Sequence, residues 1–153
     1  MNKNLHIDEL DKKILSLLMK DARMPFLEVA RECGVSGAAI HQRVQKLISD
    51  GIISGSEILV DPHKIGYSTC AYIGIFLEKA SMFSLVAEEL VNIPEIVECH
   101  YTTGNYSIFI KVFAKDNNHL KQILSDKLQS IKGISRTETF ISLEESFRRN
   151  LPV

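Results

Sequence analysis

The hydrophobic period of this chain changes once, near residue 60, and that change constrains the fold more than any motif does. Up to Gly51 the apolar residues recur at helical spacing, whereas from Tyr67 onward they alternate as in strands, with two helical stretches interposed. A chain of 153 residues, 45% of them hydrophobic, is long enough for one ordinary domain or two small ones, each with a buried core. The switch in period therefore predicts an all-helical N-terminal part joined to a mixed α and β part, an α+β chain.

The first part divides into three helices. Asp8 is an N-cap with Asp11 at the third helical position, and Leu10, Ile14, Leu17 and Leu18 form one face, which predicts a helix from about Glu9 to Lys20. Pro25 suits the opening turn of a second helix whose stripe is Phe26, Val29, Ala30 and Cys33, and Gly34 ends it. Ser36 then caps a third helix, with Ile40, Val44, Leu47 and Ile48 expected inward and Gly51 following. Helix, three-residue glycine-containing turn, helix is the helix-turn-helix pattern. Ile52 to Val60 reads as a short β hairpin or wing, closed by the turn signal Asp61-Pro62.

The second part reads β, α, β, β, α, β. Strands are expected at Thr69 to Glu78, Ile96 to Thr103, Tyr106 to Lys115 and Ile134 to Leu143. Helices are expected at Phe83 to Asn92, with Leu85, Val86, Leu90 and Val91 apolar, and at Asn118 to Lys132, carrying Leu120, Ile123, Leu124, Leu128 and Ile131. Gly104-Asn105 is expected to be a two-residue hairpin turn. This order is that of the ferredoxin-like split βαβ unit, an antiparallel sheet with both helices on one face. The strands are apolar on both sides: Ile108, Ile110 and Val112 alternate with Phe109 and Phe113, and only Ser107 and Lys111 interrupt the second face. An uncovered apolar sheet face predicts self-association through the sheets.

Charge argues against a simple polyanion-binding surface. The chain has 18 Lys and Arg against 19 Asp and Glu, and residues 1 to 60 carry eight of each sign. Any affinity for DNA must come from placed side chains rather than from net charge. With Ile40, Val44, Leu47 and Ile48 inward, the third helix turns Gly37, Ala38, Ala39, His41, Gln42, Arg43, Gln45 and Lys46 outward, without an acid until Asp50. In a major groove Arg pairs with guanine and Gln with adenine, small residues permit close approach, and Ser36 with the first helical amides can meet a phosphate. Arg23, Arg31, Arg43 and Lys46 are the phosphate-contact candidates, and solvated surface charge is the competing account of Arg23 and Arg31. A protein-interaction role for the same helices stays open. Linking two such modules in an oligomer raises weak affinity by making the second contact intramolecular.

Other chemistries find little support. Cys33, Cys70 and Cys99 are an odd number at wide spacing, fitting neither a disulfide framework nor a zinc ribbon, and are read as small buried residues. The five histidines show no metal-ligand spacing, so no metal and no cofactor is expected. No nucleophile motif, phosphate loop or carboxylate dyad appears; His100 near Thr102 reads as a hydrogen-bonded strand histidine, and no enzymatic activity is expected. The opening Met-Asn-Lys-Asn-Leu-His lacks the apolar stretch of a secretory leader, and no apolar run approaches the roughly 20 residues of a membrane span. A cytoplasmic protein without a membrane partner is the expectation.

Several ordered segments together resemble one family. Leu10-Asp11-x-x-Ile14-Leu15-x-x-Leu18, Asp21-Ala22-Arg23, Val35-Ser36, Ile40-x-x-Arg43-Val44-x-x-Leu47 and Gly51-Ile52-Ile53 resemble the DNA-binding domain of the Lrp/AsnC (feast/famine) regulators. Asp61-Pro62-x-x-Ile65-Gly66-Tyr67 is similar to the family's linker, and Tyr101-Thr102-Thr103-Gly104-Asn105-Tyr106-Ser107-Ile108-Phe109-Ile110-Lys111 with Thr137-Glu138-Thr139 to its asparagine-responsive branch. The resemblance implies a winged helix-turn-helix domain over 1–54, a linker strand over 55–66 and a ferredoxin-like (RAM-type) effector-binding and oligomerisation domain over 67–153. It implies a transcriptional regulator that binds double-stranded DNA and responds to a small effector, an amino acid such as asparagine. Self-association to a dimer through the C-terminal sheet, and further up to an octamer, is also implied. An amino-acid-sensing adaptor that regulates a protein partner is the alternative.

Carried over by position, the resemblance places the effector in a cleft between dimers, at Cys99, His100, Tyr101, Thr102, Thr103, Gly104 and Asn105 of one subunit's hairpin and at the neighbouring helix residues Ile123, Leu124, Ser125, Asp126 and Lys127. The residue chemistry agrees: Gly104 exposes amides for a carboxylate, Thr102 and Thr103 supply hydroxyls, and Asp126 can hold an α-ammonium. A purely structural hairpin turn is the alternative for Thr102 to Tyr106. The chain departs from the family at Ala38-Ala39, where many relatives carry Ser or Thr, and at Asn105, a His in the nearest branch.

Overall fold

A computed structural model describes residues 6–153. The expectation of no leader falls on a segment whose first five residues lie outside the described ones. The chain forms two compact units, one of residues up to Leu59 together with Phe147–Val153, the other Val60–Ser146.

The first unit contains α1 (Glu9–Lys20), α2 (Phe26–Cys33) and α3 (Gly37–Ser49). Asp8 and Asp11 form a reciprocal capping box at the start of α1. The reversal between α2 and α3 turns on Gly34, whose φ of 69° a side-chain-bearing residue adopts only at a cost. Ile14, Leu15, Val29, Ala30, Ile40, Val44 and Leu47 make the core. Ile48, expected inward, is instead 46% exposed. At 100° per residue it lies about 80° from Ile40, at the border of a stripe that Ile40, Val44 and Leu47 already fill.

The expected wing does not form: no residue from 52 to 60 is in a strand. The amides of Ile52 and Ile53 bond back to the Leu47 carbonyl at 2.9 and 3.0 Å, so they finish α3 instead of opening a ladder. Ile58 and Leu59 stand exposed, because an isolated hairpin with nothing to pack on is not stable. The tail, expected to belong with the second half, returns to the first unit from Phe147 onward. There Asn150 Nδ2 donates to the Met19 carbonyl (2.8 Å) and Arg148 pairs with Glu57 (3.5 Å).

The second unit is a four-stranded antiparallel sheet in the order β2-β3-β1-β4, from β1 (Thr69–Leu77), β2 (Ile96–Tyr101), β3 (Ile108–Ala114) and β4 (Ile134–Ser142). Two helices, α4 (Phe83–Leu90) and α5 (Asn117–Gln122), supply Val86, Leu90 and Leu120 to a core with Ile73, Ile75, Ile108, Ile110 and Val112 of the sheet. The stretch expected as one long α-helix widens after Gln122 into a π-helical segment, Ile123–Leu128, and still buries Ile123 and Leu128. In the α4 region Val86 and Leu90 are buried, but Leu85 and Val91 are not; Val91 already lies past the helix end.

Register places the remaining residues. Tyr72 pairs with Lys111 and Phe140, Gly74 with Phe109 and Glu138, and Cys70 with Phe113 and Ser142, so these share the face opposite α4 and α5. Lys111 is nearly buried there, between the rings of Tyr72 and Phe113 and 3.7 Å from both Glu98 and Glu145. Burial disfavours its charge, yet Tyr72 and the two carboxylates outweigh this and raise its pKa.

Candidate functional site

Two regions hold the residues expected to act. In the first, α3 stands on Ile40, Val44 and Leu47 and turns Ala38, His41, Gln42, Gln45 and Lys46 to solvent, with Gly37 and Ala39 half-exposed. Ser36 Oγ accepts the Ala39 amide at 3.2 Å, which leaves its own proton free to donate. The amides of Gly37 and Ala38 precede the first intrahelical bond, and α3 carries no acid in its first turn. His41 packs near the Phe26 ring at 6.1 Å, which holds the start of the exposed face against α2. The surface is small, donor-rich and free of acid, suited to a polyanion's groove and backbone.

Arg43 departs from the expectation. It is half-buried and turned toward α1, where Nη1 donates both to Asp8 Oδ2 and, at 3.1 Å, to Asp11 Oδ1. By helical arithmetic it lies about 60° from Ile40, on the opposite border of the stripe from Ile48, within reach of the neighbouring helix. The Asp11 amide first, and Arg43 second, hold the Asp8 carboxyl down at about 2. The exposed basic candidates are then Lys46 on α3 and, on the other helices and turns, Arg23 and Arg31.

In the second region the block Cys99 to Asn105 is divided by strand alternation. Cys99 and Tyr101 oppose the buried Ile110 and Ile108 and lie on the helix side, where the Tyr101 ring sits 4.3 Å from Phe83. His100 opposes Phe109 on the other face, 3.6 Å from Glu98. The block is therefore not one surface. Cys99, expected as a buried residue, is exposed, although partial burial of its thiol pushes the pKa up.

The turn also differs from the two-residue form. A two-residue turn on Gly104 and Asn105 would pair Thr103 with Tyr106, and the φ of 101° at Gly104 would allow it, but the ladder stops at Tyr101 opposite Ile108. The connection instead runs from Thr102 to Ser107, closed by Thr102 N to Ser107 O (3.0 Å) and Thr102 Oγ1 to Tyr106 O (2.7 Å). It lengthens because its last residues bind β1: the Ser107 amide donates to the Ile75 carbonyl (3.0 Å) and the Tyr106 ring lies over Gly74. Tyr106 OH then donates to Glu138 Oε2 at 2.7 Å, which raises the phenol's pKa. Thr103, Gly104 and Asn105 are left exposed at the tip.

Of the Ile123 to Lys127 set, Ile123 is fully buried in the core and cannot meet a ligand. Leu124 and Ser125 line an open groove of about 330 Å³ with Asn117, Leu120, Lys121, Gln129 and Ile141. Ser125 Oγ donates to Asp126 Oδ1 at 2.7 Å, and both are exposed. Lys127 is held by Glu95, with Nζ 2.8 Å from each carboxylate oxygen, while His119 Nε2 meets Glu95 Oε1 at 3.2 Å. Burial works against the Glu95 charge, but Lys127 and the other hydrogen bonds hold its pKa below the ordinary carboxylate value. No hydrogen bond or ion pair among the described residues joins the turn to the Ile123 to Lys127 segment within one chain. Glu95, His119, Tyr106 and Gly74 were not anticipated. A glycine amid the apolar run of a strand was the one available signal, since such a glycine often marks a close approach.

Among the described residues no group of His, Cys, Asp and Glu is arranged to hold a metal, and no helix is long and apolar enough to cross a membrane. The AsnC-type helix-turn-helix domain matches residues 7–48, and the Lrp/AsnC ligand binding domain matches residues 70–152. The chain is 44% identical over 146 residues to Regulatory protein AsnC of Haemophilus influenzae, covering 95% of this chain and 97% of that one. The solved structure of Escherichia coli AsnC superposes with a TM-score of 0.92 at 40% identity, covering 97% of this chain and 99% of that one. A Neisseria meningitidis transcriptional regulator solved in complex with L-Met shares the fold, with a TM-score of 0.90 at 23% identity over 94% of each chain. The chain belongs to the Lrp/AsnC family of helix-turn-helix transcriptional regulators, a family without enzymatic function, and carries both its DNA-binding and its ligand-binding domain.

Proposed function

We propose that this regulator reads double-stranded DNA with α3 and answers to an amino acid, asparagine being the first candidate, bound where the Thr102 to Asn105 tip of one copy meets Leu124 to Asp126 of another. The exposed face of α3 carries the DNA reading: Ser36, Gly37 and Ala38 toward a phosphate, His41, Gln42 and Gln45 toward base edges, Lys46 toward the backbone. The separation of the two effector segments within one chain supports a site completed by self-association. Gly104 offers amides to a carboxylate and Asp126 a counter-charge to an α-ammonium. The face bearing Tyr72, Phe109, Phe113 and Phe140 is the dimer surface in this reading, with assembly beyond the dimer up to an octamer and a cytoplasmic location.

A gel shift on the gene's own upstream DNA at several salt concentrations tests the first part. Binding that is site-specific, falls with salt and weakens in Lys46→Ala is expected, and absence of a shift at every salt refutes it and leaves the adaptor alternative. Thermal melts with each of the twenty amino acids test the second part, since a ligand of the folded state raises Tm with concentration. Flat melts for all twenty remove the effector reading without touching the DNA reading.

A further inference from the structure

The Asp8, Asp11 and Arg43 cluster does something a capping box alone does not require. Each carboxylate divides its two oxygens. Asp8 Oδ1 accepts the Asp11 amide at 2.8 Å and Asp11 Oδ2 accepts the Asp8 amide at 3.2 Å, which completes the cap of α1. The other two oxygens, Asp8 Oδ2 and Asp11 Oδ1, both take Arg43 Nη1. The side chain of Asp11 is only 7% exposed, so its charge is met by an Arg 32 residues away in sequence. One nitrogen of a rigid planar guanidinium, donating to two carboxylates, thus joins the middle of α3 to the first turn of α1. In a seven-residue core of aliphatic side chains, which sets distance better than it sets rotation, this is the one directional tie between those helices among the described ion pairs.

We propose that Arg43 is a positioning residue for DNA recognition: by bridging Asp8 and Asp11 it sets the rotation at which α3 presents Gln42 and Gln45 to base edges, and it does not itself contact the DNA. The inference rests on the reading of α3 as the DNA-binding helix. It reverses the sign expected for one substitution. If Arg43 were a DNA contact, Asp8 and Asp11 would compete with phosphate for it, and neutralising them would tighten binding. As a positioning residue it needs them, and neutralising them weakens binding.

The test uses the full chain, with D8N/D11N and R43A variants and K46A as the phosphate-contact reference. Asn caps helices as well as Asp, so D8N/D11N removes the ion pair while keeping the cap acceptors. Affinity is measured by gel shift across a salt series, at a temperature where circular dichroism shows every variant fully folded. Both D8N/D11N and R43A are expected to bind about tenfold more weakly, as for loss of one bidentate base contact. The slope of log affinity against log salt stays that of the unaltered chain in both, whereas K46A lowers it by about 0.9 for each α3 bound to the DNA. Combining R43A with D8N/D11N adds nothing further, because both remove the same tie.

Tighter or unchanged binding by D8N/D11N, or a slope reduced in R43A as it is in K46A, overturns the proposal and returns Arg43 to the DNA surface. A double-mutant cycle of thermal melts separates this from the DNA reading. Coupling between Arg43 and the Asp8 and Asp11 pair is expected with or without DNA, and its absence overturns the proposal even where the unaltered chain binds DNA. No binding by the unaltered chain refutes the DNA reading and carries this inference with it, even with the coupling intact.

Discussion

Ile40→Ala is expected to separate the two functions of this chain. Ile40 is fully buried and forms the centre of the α3 stripe, in a unit whose core comprises seven buried apolar side chains. A unit near 60 residues with one small core rarely has more than about 3–5 kcal/mol of stability. Truncating a buried isoleucine to alanine costs about 2–5 kcal/mol, the transfer term plus the cavity left behind. The two ranges overlap, so the variant leaves the first unit at or near its unfolding midpoint at ordinary temperature. The second unit, with fourteen buried apolar residues in a separate cluster, loses nothing. Circular dichroism melts, gel shifts and sizing on the same preparation read the outcome. Helical signal partly lost at low temperature, DNA binding weakened and oligomer size unchanged are expected. Ile40→Val, at about 1 kcal/mol, should keep binding and lower the first transition by roughly 4–8 °C. A single transition in which DNA binding and assembly fail together, or undiminished DNA binding by Ile40→Ala, would refute the reasoning that each unit stands on its own core.

Three further outcomes follow from particular contacts. In Gly74→Ala the new Cβ would clash with the Tyr106 ring, so the ring must leave β1 and release Glu138; an altered near-ultraviolet dichroism and a weaker effector-induced Tm rise are expected, with Tyr106→Phe milder in both. Asp8 titrates at about 2 against an ordinary 3.8, a depressed carboxylate, so its stabilisation is complete above 3.8 and is lost as pH falls toward 2; Asp8→Asn should flatten the stability curve of the first unit in that window alone. Glu95→Gln removes the charge that Lys127 and His119 share, and with Lys127 partly exposed and screened it should cost about 1–2 kcal/mol in urea melts at neutral pH. Because the Glu95 pKa is also lowered, that difference is present above its ordinary value near 4.5 and shrinks as pH falls through the depressed one, and a constant difference at all pH would count against the ion pair.

Much of this architecture is written in local signals. Asp8 and Ser36 start α1 and α3, Gly34 and Gly51 take positive φ where helices end, and the order of strands and helices after Tyr67 matches the sheet obtained. Each follows from forces acting within a few residues: a capped amide, a left-handed glycine, a repeat of 3.6 or 2. Sequence also separated the buried stripe of α3 from its exposed face at Ile40, Val44 and Leu47 but not at the two borders, Ile48 and Arg43, because the angle between successive side chains decides the middle of a stripe and not its edges.

Only the tertiary structure decided where long or paired side chains end. Periodicity puts Arg43 at the border of the α3 stripe, but a flexible side chain there can turn to solvent or inward, and what turns it inward is two carboxylates more than 30 residues away. The wing was lost because the Ile52 and Ile53 amides found the Leu47 carbonyl, and the two-residue turn was lost because Gly74 makes room for Tyr106. Alternation within β2 likewise split Cys99, His100 and Tyr101 between faces once its register with β3 was set. In each case a competition between a local partner and a distant one was settled by burial and by donors that must be satisfied, and such terms exist only when the chain is folded.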